Sequence, residues 1–416
     1  MSLCRTLASL LLLGGICLFA GSGSKWIGEG YEKLDPYAVY PGQIGIDKRE
    51  ANLSSNGENI LLQRLENALS KYENIAFDGG WPVIPDNFPI LKTGDLHDAV
   101  PAIRSRLCVT GDYNCSLDAN RTFDRELADA VRRFQLRHAL KADGIVGPDT
   151  LEAMNVPVQK RVETIKINIV RLRWLTTGSH DFIAANIPTF TLALYRDNRC
   201  VLSMKTVVGR KERATPMISD TLTYAVLNPY WRAPKTIVAE DILPKLKAGR
   251  FDYLESIGIV VTQRADGNDS IDMRSIDWHR YDNADIPYIF LQKPGEKNYL
   301  GFVKFMFPNE FDVYIHDTPD DYLFRYDNRA KSSGCIRVEK PIELFHALYE
   351  NGTGVWRYKR IVEELLKKEE KLVGLPRPLP IYILYMTAFV DEAGEIHFVK
   401  DIYGYDRRMV EYMNGD

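Results

Sequence analysis

The feature that most limits the fold is a change of period part-way along the chain. Up to about residue 175 the apolar residues recur every three to four positions, and from Thr189 they fall into short runs broken by turn residues. The first texture builds amphipathic helices and the second builds strands. Two kinds of domain therefore follow one another. At 416 residues with 45% hydrophobic content, the chain has room for two or three domains with cores of their own.

In the helical part, Ile60, Leu61, Leu65, Leu69 and Tyr72 mark one helix within an otherwise polar lead-in, residues 25–87. A small module follows over 88–156. Val100, Ile103 and Leu107 form one helix face, and Phe123, Leu127, Val131 and Phe134 another. Asp143-Gly144 then gives a tight turn, and Pro148 suits the first position of a third helix carrying Thr150, Leu151 and Met154. The words Ala130-Val131-Arg132-Arg133-Phe134-Gln135, Asp143 to Gly147 and Thr150-Leu151 resemble the three-helix peptidoglycan-binding module of wall enzymes. These are core and turn positions, so they identify a fold without locating a glycan contact. A connecting helix is expected over 157–183, on Val162, Ile165, Ile169 and Leu172.

Residues 1–24 have the order of an export signal: one early positive charge at Arg5, an apolar run from Leu7 to Ala20, then Gly21-Ser22-Gly23-Ser24. The run of 14 residues is shorter than the roughly 20 of a membrane span. That favours cleavage, with an uncleaved anchor, and membrane contact through that segment alone, as the alternative. Export fits the remaining cysteines. Cys108 and Cys115 flank a turn-rich segment that can close a small disulfide loop, and Cys200, among apolar neighbours, reads as an inert buried thiol. A net charge of -3, with 53 basic and 56 acidic residues and no basic tract, argues against a nucleic-acid partner. The cysteines lack Cys-x-x-Cys spacing and no His-Glu-x-x-His word occurs, so no metal or other cofactor is expected.

The strand-rich part begins with a hairpin signature, Phe190 to Tyr195, a turn at Asp197-Asn198, and Val201 to Val208. Further strand-like runs lie at Thr223–Leu227, Tyr288–Leu291, Gly301–Phe307 and Val313–His316. Between them, residues 251–285 are polar and weakly periodic, as expected of a capping insertion. The chemistry concentrates at the end of the last run. Tyr314-Ile315-His316-Asp317-Thr318 ends a strand on a histidine, and 19 positions later Ser332-Ser333-Gly334-Cys335-Ile336-Arg337 places a cysteine after a glycine. A thiol attacks acyl groups as the thiolate, and imidazole is its usual proton acceptor. Gly334, with no Cβ, lets the backbone turn so that the amides of Gly334 and Cys335 can face one developing oxyanion.

A cysteine and a histidine alone say little in a chain with seven histidines, but the surrounding words are specific. His316-Asp317-Thr318-Pro319 and Ser332-Ser333-Gly334-Cys335 resemble the signature of the L,D-transpeptidase family, in its large Gram-negative murein cross-linking branch. The blocks Val207 to Arg210 with Thr215-Pro216, Asn228 to Pro234, Lys304 to Asn309, Pro380 to Ala388 and Asp401 to Gly404 extend the likeness over about residues 90–405. Where many members have His-Gly-Cys, Ser333 precedes Gly334 here, as in that branch.

The resemblance implies an α+β multidomain protein: the three-helix peptidoglycan-binding module, a mainly-β catalytic domain at 184–375 with its capping insertion, and a C-terminal strand extension at 376–416. It implies a periplasmic enzyme of a Gram-negative bacterium, acting on peptidoglycan stem peptides and glycan, with other wall-synthesis enzymes as candidate partners. Cys335, His316 and Gly334 are the expected catalytic residues; Arg337, Ser333, Tyr314 and Trp231 are candidates for substrate contact. Arg337 reads equally as a carboxylate partner or as one end of a structural ion pair, and Trp231 as cleft wall or core. What orients the second nitrogen of His316 is left open, since the Asp317 side chain should face away from it.

Overall fold

The computed structural model describes residues 60–114, 120–173, 181–197, 199–264, 267–282, 286–349, 356–391 and 393–414. The export signal and most of the lead-in lie outside the described residues, as does Cys115. The chain divides into two compact units: residues up to Ser203 together with those from Tyr382 onward, and Met204–Ile381.

In the first unit, α1 (Ile60–Phe77) forms as its periodicity requires and buries Leu65 and Tyr72. The module contains α2 (Val100–Thr110), α3 (Arg125–Arg137) and α4 (Pro148–Asn155). Gly111, at a left-handed φ of 84°, ends α2; the Asp124 carboxylate caps α3 by accepting from the Leu127 amide at 2.8 Å; Pro148 opens α4. Val100, Ile103, Leu107, Phe123, Leu127, Val131 and Phe134 are all fully buried in one core. Each such side chain contributes about 1.5–3 kcal/mol relative to exposure. Gln135 ties the Asp-Gly turn to this core: its amide nitrogen donates to Asp143 Oδ1, the Ile145 carbonyl and Thr150 Oγ1 at 2.9–3.1 Å, and its oxygen accepts from the Gly144 amide at 2.8 Å. That bonding explains why the words Phe-Gln, Asp-Gly-Ile and Thr-Leu occur together. Cys108 is disulfide-bonded.

Helix α5 (Val158–Arg173) packs on α1 around Ile165, Ile169 and Leu172, and residues 174–180 of the expected connecting helix lie outside the described residues. Phe182–Asn186 is already strand β1, antiparallel to β2 (Thr191–Arg196), with Phe182 opposite Tyr195. All five residues of β1 are buried, and a strand buried on both faces has no alternation for a sequence reading to detect. A hairpin of Ala388–Val390 with Ile396–Phe398 completes this core. Arg137 is buried with Asp112 on one side, Nε to Oδ1 at 2.9 Å, and the Ile396 carbonyl on the other at 2.9 Å.

The second unit is mainly β. Strand β3 (Arg199–Gly209) begins exposed and becomes buried from Thr206 onward. Cys200 lies in the exposed stretch, so it is a surface thiol and not the buried one its apolar neighbours suggested. The sheet then takes β4 (Ile218–Leu227), β8 (Val303–Met306), β9 (Ile315–His316), β10 (Ala330–Ser332), β11 (Ile336–Val338) and β12 (Lys371–Leu384), in the spatial order β10-β3-β11-β9-β8-β4-β12. Helix Pro341–Tyr349 covers it, and the Tyr349 hydroxyl accepts from Ala225 N and donates to Val373 O, joining β4 to β12.

The capping region is larger than residues 251–285. Its core runs from Trp231 to Leu300 and includes Val238, Ile242, Leu243, Leu246, Leu254, Trp278 and Phe290. A three-stranded sheet, β5 (Trp231–Arg232), β7 (Ile289–Gln292) and β6 (Val260–Thr262), forms one wall. Helical turns at Lys235–Ile237, Val238–Ile242 and Leu243–Lys247 form another, the middle one a π-turn. Pro244 hides this helix from a periodicity reading, because it breaks the hydrogen-bond ladder and the chain widens ahead of it. No described helix is long and apolar enough to cross a membrane.

Candidate functional site

β9 and β11 are parallel neighbours, with Ile315 opposite Ile336 and His316 opposite Arg337. Both isoleucines are fully buried, which turns Tyr314 and His316 of one strand, and Cys335 and Arg337 of the other, to the opposite face of the pleat. Strand β8 adds Lys304 directly opposite His316. The sheet thus presents Lys304, His316 and Arg337 in one row, with Tyr314 and Cys335 two residues along.

His316 is buried, and its Nδ1 lies 2.5 Å from the Asp317 carbonyl oxygen. A carbonyl only accepts, so Nδ1 carries the proton and Nε2 keeps its lone pair. The orienting group is therefore the backbone of Asp317, and its side chain does face elsewhere: Oδ2 accepts from Phe302 N at 2.8 Å and Oδ1 from Thr318 N at 2.7 Å. Burial pushes that carboxyl up to about 6. Gly301, at φ 56°, makes room for it, since a Cβ there would collide with the carboxylate. Burial, followed by the Arg337 charge and more weakly that of Lys304, brings the His316 imidazole down to about 3, against the opposing carbonyls of Asp317 and Tyr299.

Cys335 is partly buried. Its Sγ lies 3.9 Å from the Asp312 carbonyl, and burial pushes the thiol up to about 11 despite hydrogen bonding from the Tyr314 backbone and the charge of Arg337. Both members of the pair are thus neutral at rest. Burial also raises the Tyr314 phenol well above its ordinary value, with the Cys335 charge as the next cause, so it stays protonated.

The turn before the cysteine is held from two sides. Gly334 adopts φ 117°, a conformation that favours glycine. Ser332 Oγ donates to the Cys335 carbonyl at 2.6 Å and accepts from the Gly334 amide at 3.2 Å. Thr215 Oγ1 donates to the Gly334 carbonyl at 2.7 Å and accepts from the Gly209 amide at 2.8 Å. Gly209 admits no side chain, because a Cβ would meet the Arg213 carbonyl. The Gly334 amide expected to face an oxyanion is therefore engaged by Ser332. The Cys335 amide is not hydrogen-bonded among the described residues and is the donor left for that role.

The other candidates fall in different places. Ser333 Oγ accepts from Arg213 at 3.0 Å and Arg210 at 3.4 Å. Arg213 also pairs with Glu240 and, at 2.6 Å, Asp241 of the capping helices, so Ser333 belongs to a clamp between turn and cap. Arg337 Nη1 pairs with Asp320 at 3.1 Å, the structural ion pair of the two alternatives. Trp231 is 4% exposed within the cap core, edge-on to Tyr299 at 5.0 Å, and does not line the cleft. Its neighbours Tyr230 and Arg232 do. With Lys304, Met306, Asp312 and Tyr314 they line a cavity of about 450 Å³ reaching the strand beside the thiol. Sequence reasoning missed Ser332, Thr215, Arg213 and Lys304 as site residues; a glycine followed six residues later by Thr215 was a legible signal only for a tight turn. Among the described residues, no group of three His, Cys, Asp or Glu side chains is placed to hold a metal ion.

The chain joins a three-helix module to a mainly-β domain that carries a cysteine and a histidine on one sheet face. Residues 180–362 match the L,D-transpeptidase catalytic domain, and residues 97–154 match the domain described as "Putative peptidoglycan binding domain". A Haemophilus influenzae protein named "Putative L,D-transpeptidase" is 36% identical over 259 residues, covering 62% of this chain and 51% of that protein; the chain spans about half the length of this curated relative. An L,D-transpeptidase structure from Xylanimonas cellulosilytica is 14% identical, over 72% of this chain and 99% of that one, with a TM-score of 0.23. One from Stackebrandtia nassauensis is 11% identical over 71% and 94%, with a TM-score of 0.26. The chain thus contains a region similar to the L,D-transpeptidase catalytic domain, preceded in sequence by a region similar to a peptidoglycan-binding domain.

Proposed function

We propose that the protein is a cysteine-dependent peptidoglycan transpeptidase that joins tetrapeptide stems by 3-3 cross-links, with Cys335 as nucleophile and His316 as its base. The observation that carries this reading is the pairing of β9 with β11. It sets a partly buried thiol and an imidazole of fixed tautomer on one face, beside a cavity of about 450 Å³.

With both groups neutral at rest, attack and proton transfer go together. The Cys335 Sγ–H proton passes to His316 Nε2 as sulfur bonds to the diaminopimelate carbonyl carbon, and the new oxyanion is held by the Cys335 amide. Collapse breaks the bond to D-alanine, whose nitrogen takes the proton back from His316. The thioester is then attacked by the side-chain amine of a second stem, which loses its proton through His316 and releases the thiol. The bond energy of the first peptide is carried in the thioester, so no nucleotide is consumed.

The export signal and the branch resemblance support a Gram-negative periplasm, with glycan bound by the module and other wall-synthesis enzymes as partners. The test is to incubate the chain and its Cys335→Ala variant with disaccharide tetrapeptide and follow products by mass spectrometry. Dimer with loss of D-alanine from the parent only is the expected result. Tripeptide without dimer would replace this reading with an L,D-carboxypeptidase, and no turnover by an intact thiol with a non-catalytic wall-binding protein.

A further inference from the structure

The cavity beside the thiol carries two cations, and they differ in how they are neutralised. Arg232 has Glu370 at 4.0 Å. Lys304 is half-buried and forms no ion pair among the described residues; its Nζ stands 5.7 Å from the centre of the Tyr314 ring. Burial holds its ammonium below the ordinary lysine value, against the weaker opposing charge of Glu370, which no ion pair brings into contact with it among the described residues. The carboxylate lining the same cavity, Asp312, is exposed at its rim. A recessed cation behind a partly apolar wall of Met306 and Leu300 fits a small aliphatic group that ends in a carboxylate.

Register fixes which carboxylate. Lys304 lies opposite His316, so its stem rises on the face that carries the nucleophile. Its strand is two spacings, about 10 Å, from β11. A four-carbon stem reaching across that interval leaves a gap of about one or two residues. In a tetrapeptide stem the carboxylate of the terminal D-alanine lies one residue beyond the attacked carbonyl. The acceptor's side-chain amine is itself a cation and would be repelled from this place.

We propose that the cavity is the leaving-group subsite and that Lys304 binds the carboxylate of the terminal D-alanine, making the enzyme selective for stems with a free C-terminus. The inference rests on the transpeptidase reading of the same site. It goes beyond that reading by assigning the donor's last residue to a particular side chain.

The experiment compares two donors, disaccharide tetrapeptides ending in D-alanine and in D-alaninamide, with the full chain and its Lys304→Met and Lys304→Arg variants. The readout is kcat/KM for D-alanine or D-alaninamide release. A charge-assisted hydrogen bond of this kind predicts that the parent prefers the free acid by about 10- to 100-fold. Lys304→Met should bring the acid-to-amide ratio of kcat/KM down to about one whatever its rate on the amide, and Lys304→Arg should restore the preference. Equal rates on both donors with the parent chain would overturn the proposal without any variant. A Lys304→Met chain that loses the same factor on both donors would overturn it as well. Failure of the parent to release either leaving group would instead remove the transpeptidase reading, and this assignment with it.

Discussion

Thr215 is the hinge of the account of the nucleophile turn, and replacing it by valine isolates its hydroxyl. The side chain is fully buried, and its Oγ1 is bonded to the Gly209 amide at 2.8 Å and the Gly334 carbonyl at 2.7 Å. Valine has nearly the same shape, so the substitution opens almost no cavity and removes a hydrogen bond from each of two buried backbone groups. Each costs about 1–3 kcal/mol, which gives a loss of about 2–6 kcal/mol. Thr215→Ser keeps both bonds and removes one methyl, worth about 1 kcal/mol. Urea unfolding of the two variants and the parent, compared at equal slope, measures the difference. Because the Gly334 carbonyl would lose its anchor, thioester formation at Cys335 should also fall more than about tenfold in the valine variant and stay near parental in the serine one. A valine variant as stable as the serine variant would refute the role given to this hydroxyl.

Two further outcomes follow from the charges. With the thiol pushed up to about 11, the thiolate fraction grows about tenfold per pH unit below that value. Alkylation of Cys335 by iodoacetamide, followed by peptide mass spectrometry, should therefore rise steadily from pH 7 towards 11, whereas a plateau reached below pH 8 would mean a resting thiolate–imidazolium pair. In the first unit, Asp112→Ala leaves the buried Arg137 guanidinium without its carboxylate, at a cost of about 3–5 kcal/mol seen as a lower thermal midpoint; a change below about 1 kcal/mol would show that solvent reaches the arginine.

The module was legible almost residue by residue, because helix faces, an Asp-Gly turn and Pro148 are local signals and the buried residues match the expected faces. The same holds for His316 and Cys335, which stand next to turn and strand signals that fix their setting. What could not be read was set by register and by partners distant in sequence. Lys304 becomes part of the site only because β8 pairs with β9, and Arg213 only because it meets Ser333 and the capping acids. Trp231 and Arg232 are neighbours on a two-residue strand, so which one faces the cavity depends on the pairing of β5 with β7. The Gly334 amide was expected at the oxyanion, but Ser332, two residues earlier, takes it. The buried strand β1 and the Pro-interrupted helix of the cap escaped for a simpler reason, since neither shows the period of its own structure.

In the proposed mechanism Cys335 carries the stem as a thioester. Intact-protein mass spectrometry of the chain mixed with disaccharide tetrapeptide and quenched in acid tests it directly. An adduct of the disaccharide tripeptide is expected, with D-alanine lost, mapping to the peptide that contains Cys335 and absent from Cys335→Ala. Cross-linked product formed by the Cys335→Ala chain, or an adduct mapping to another residue, would contradict it.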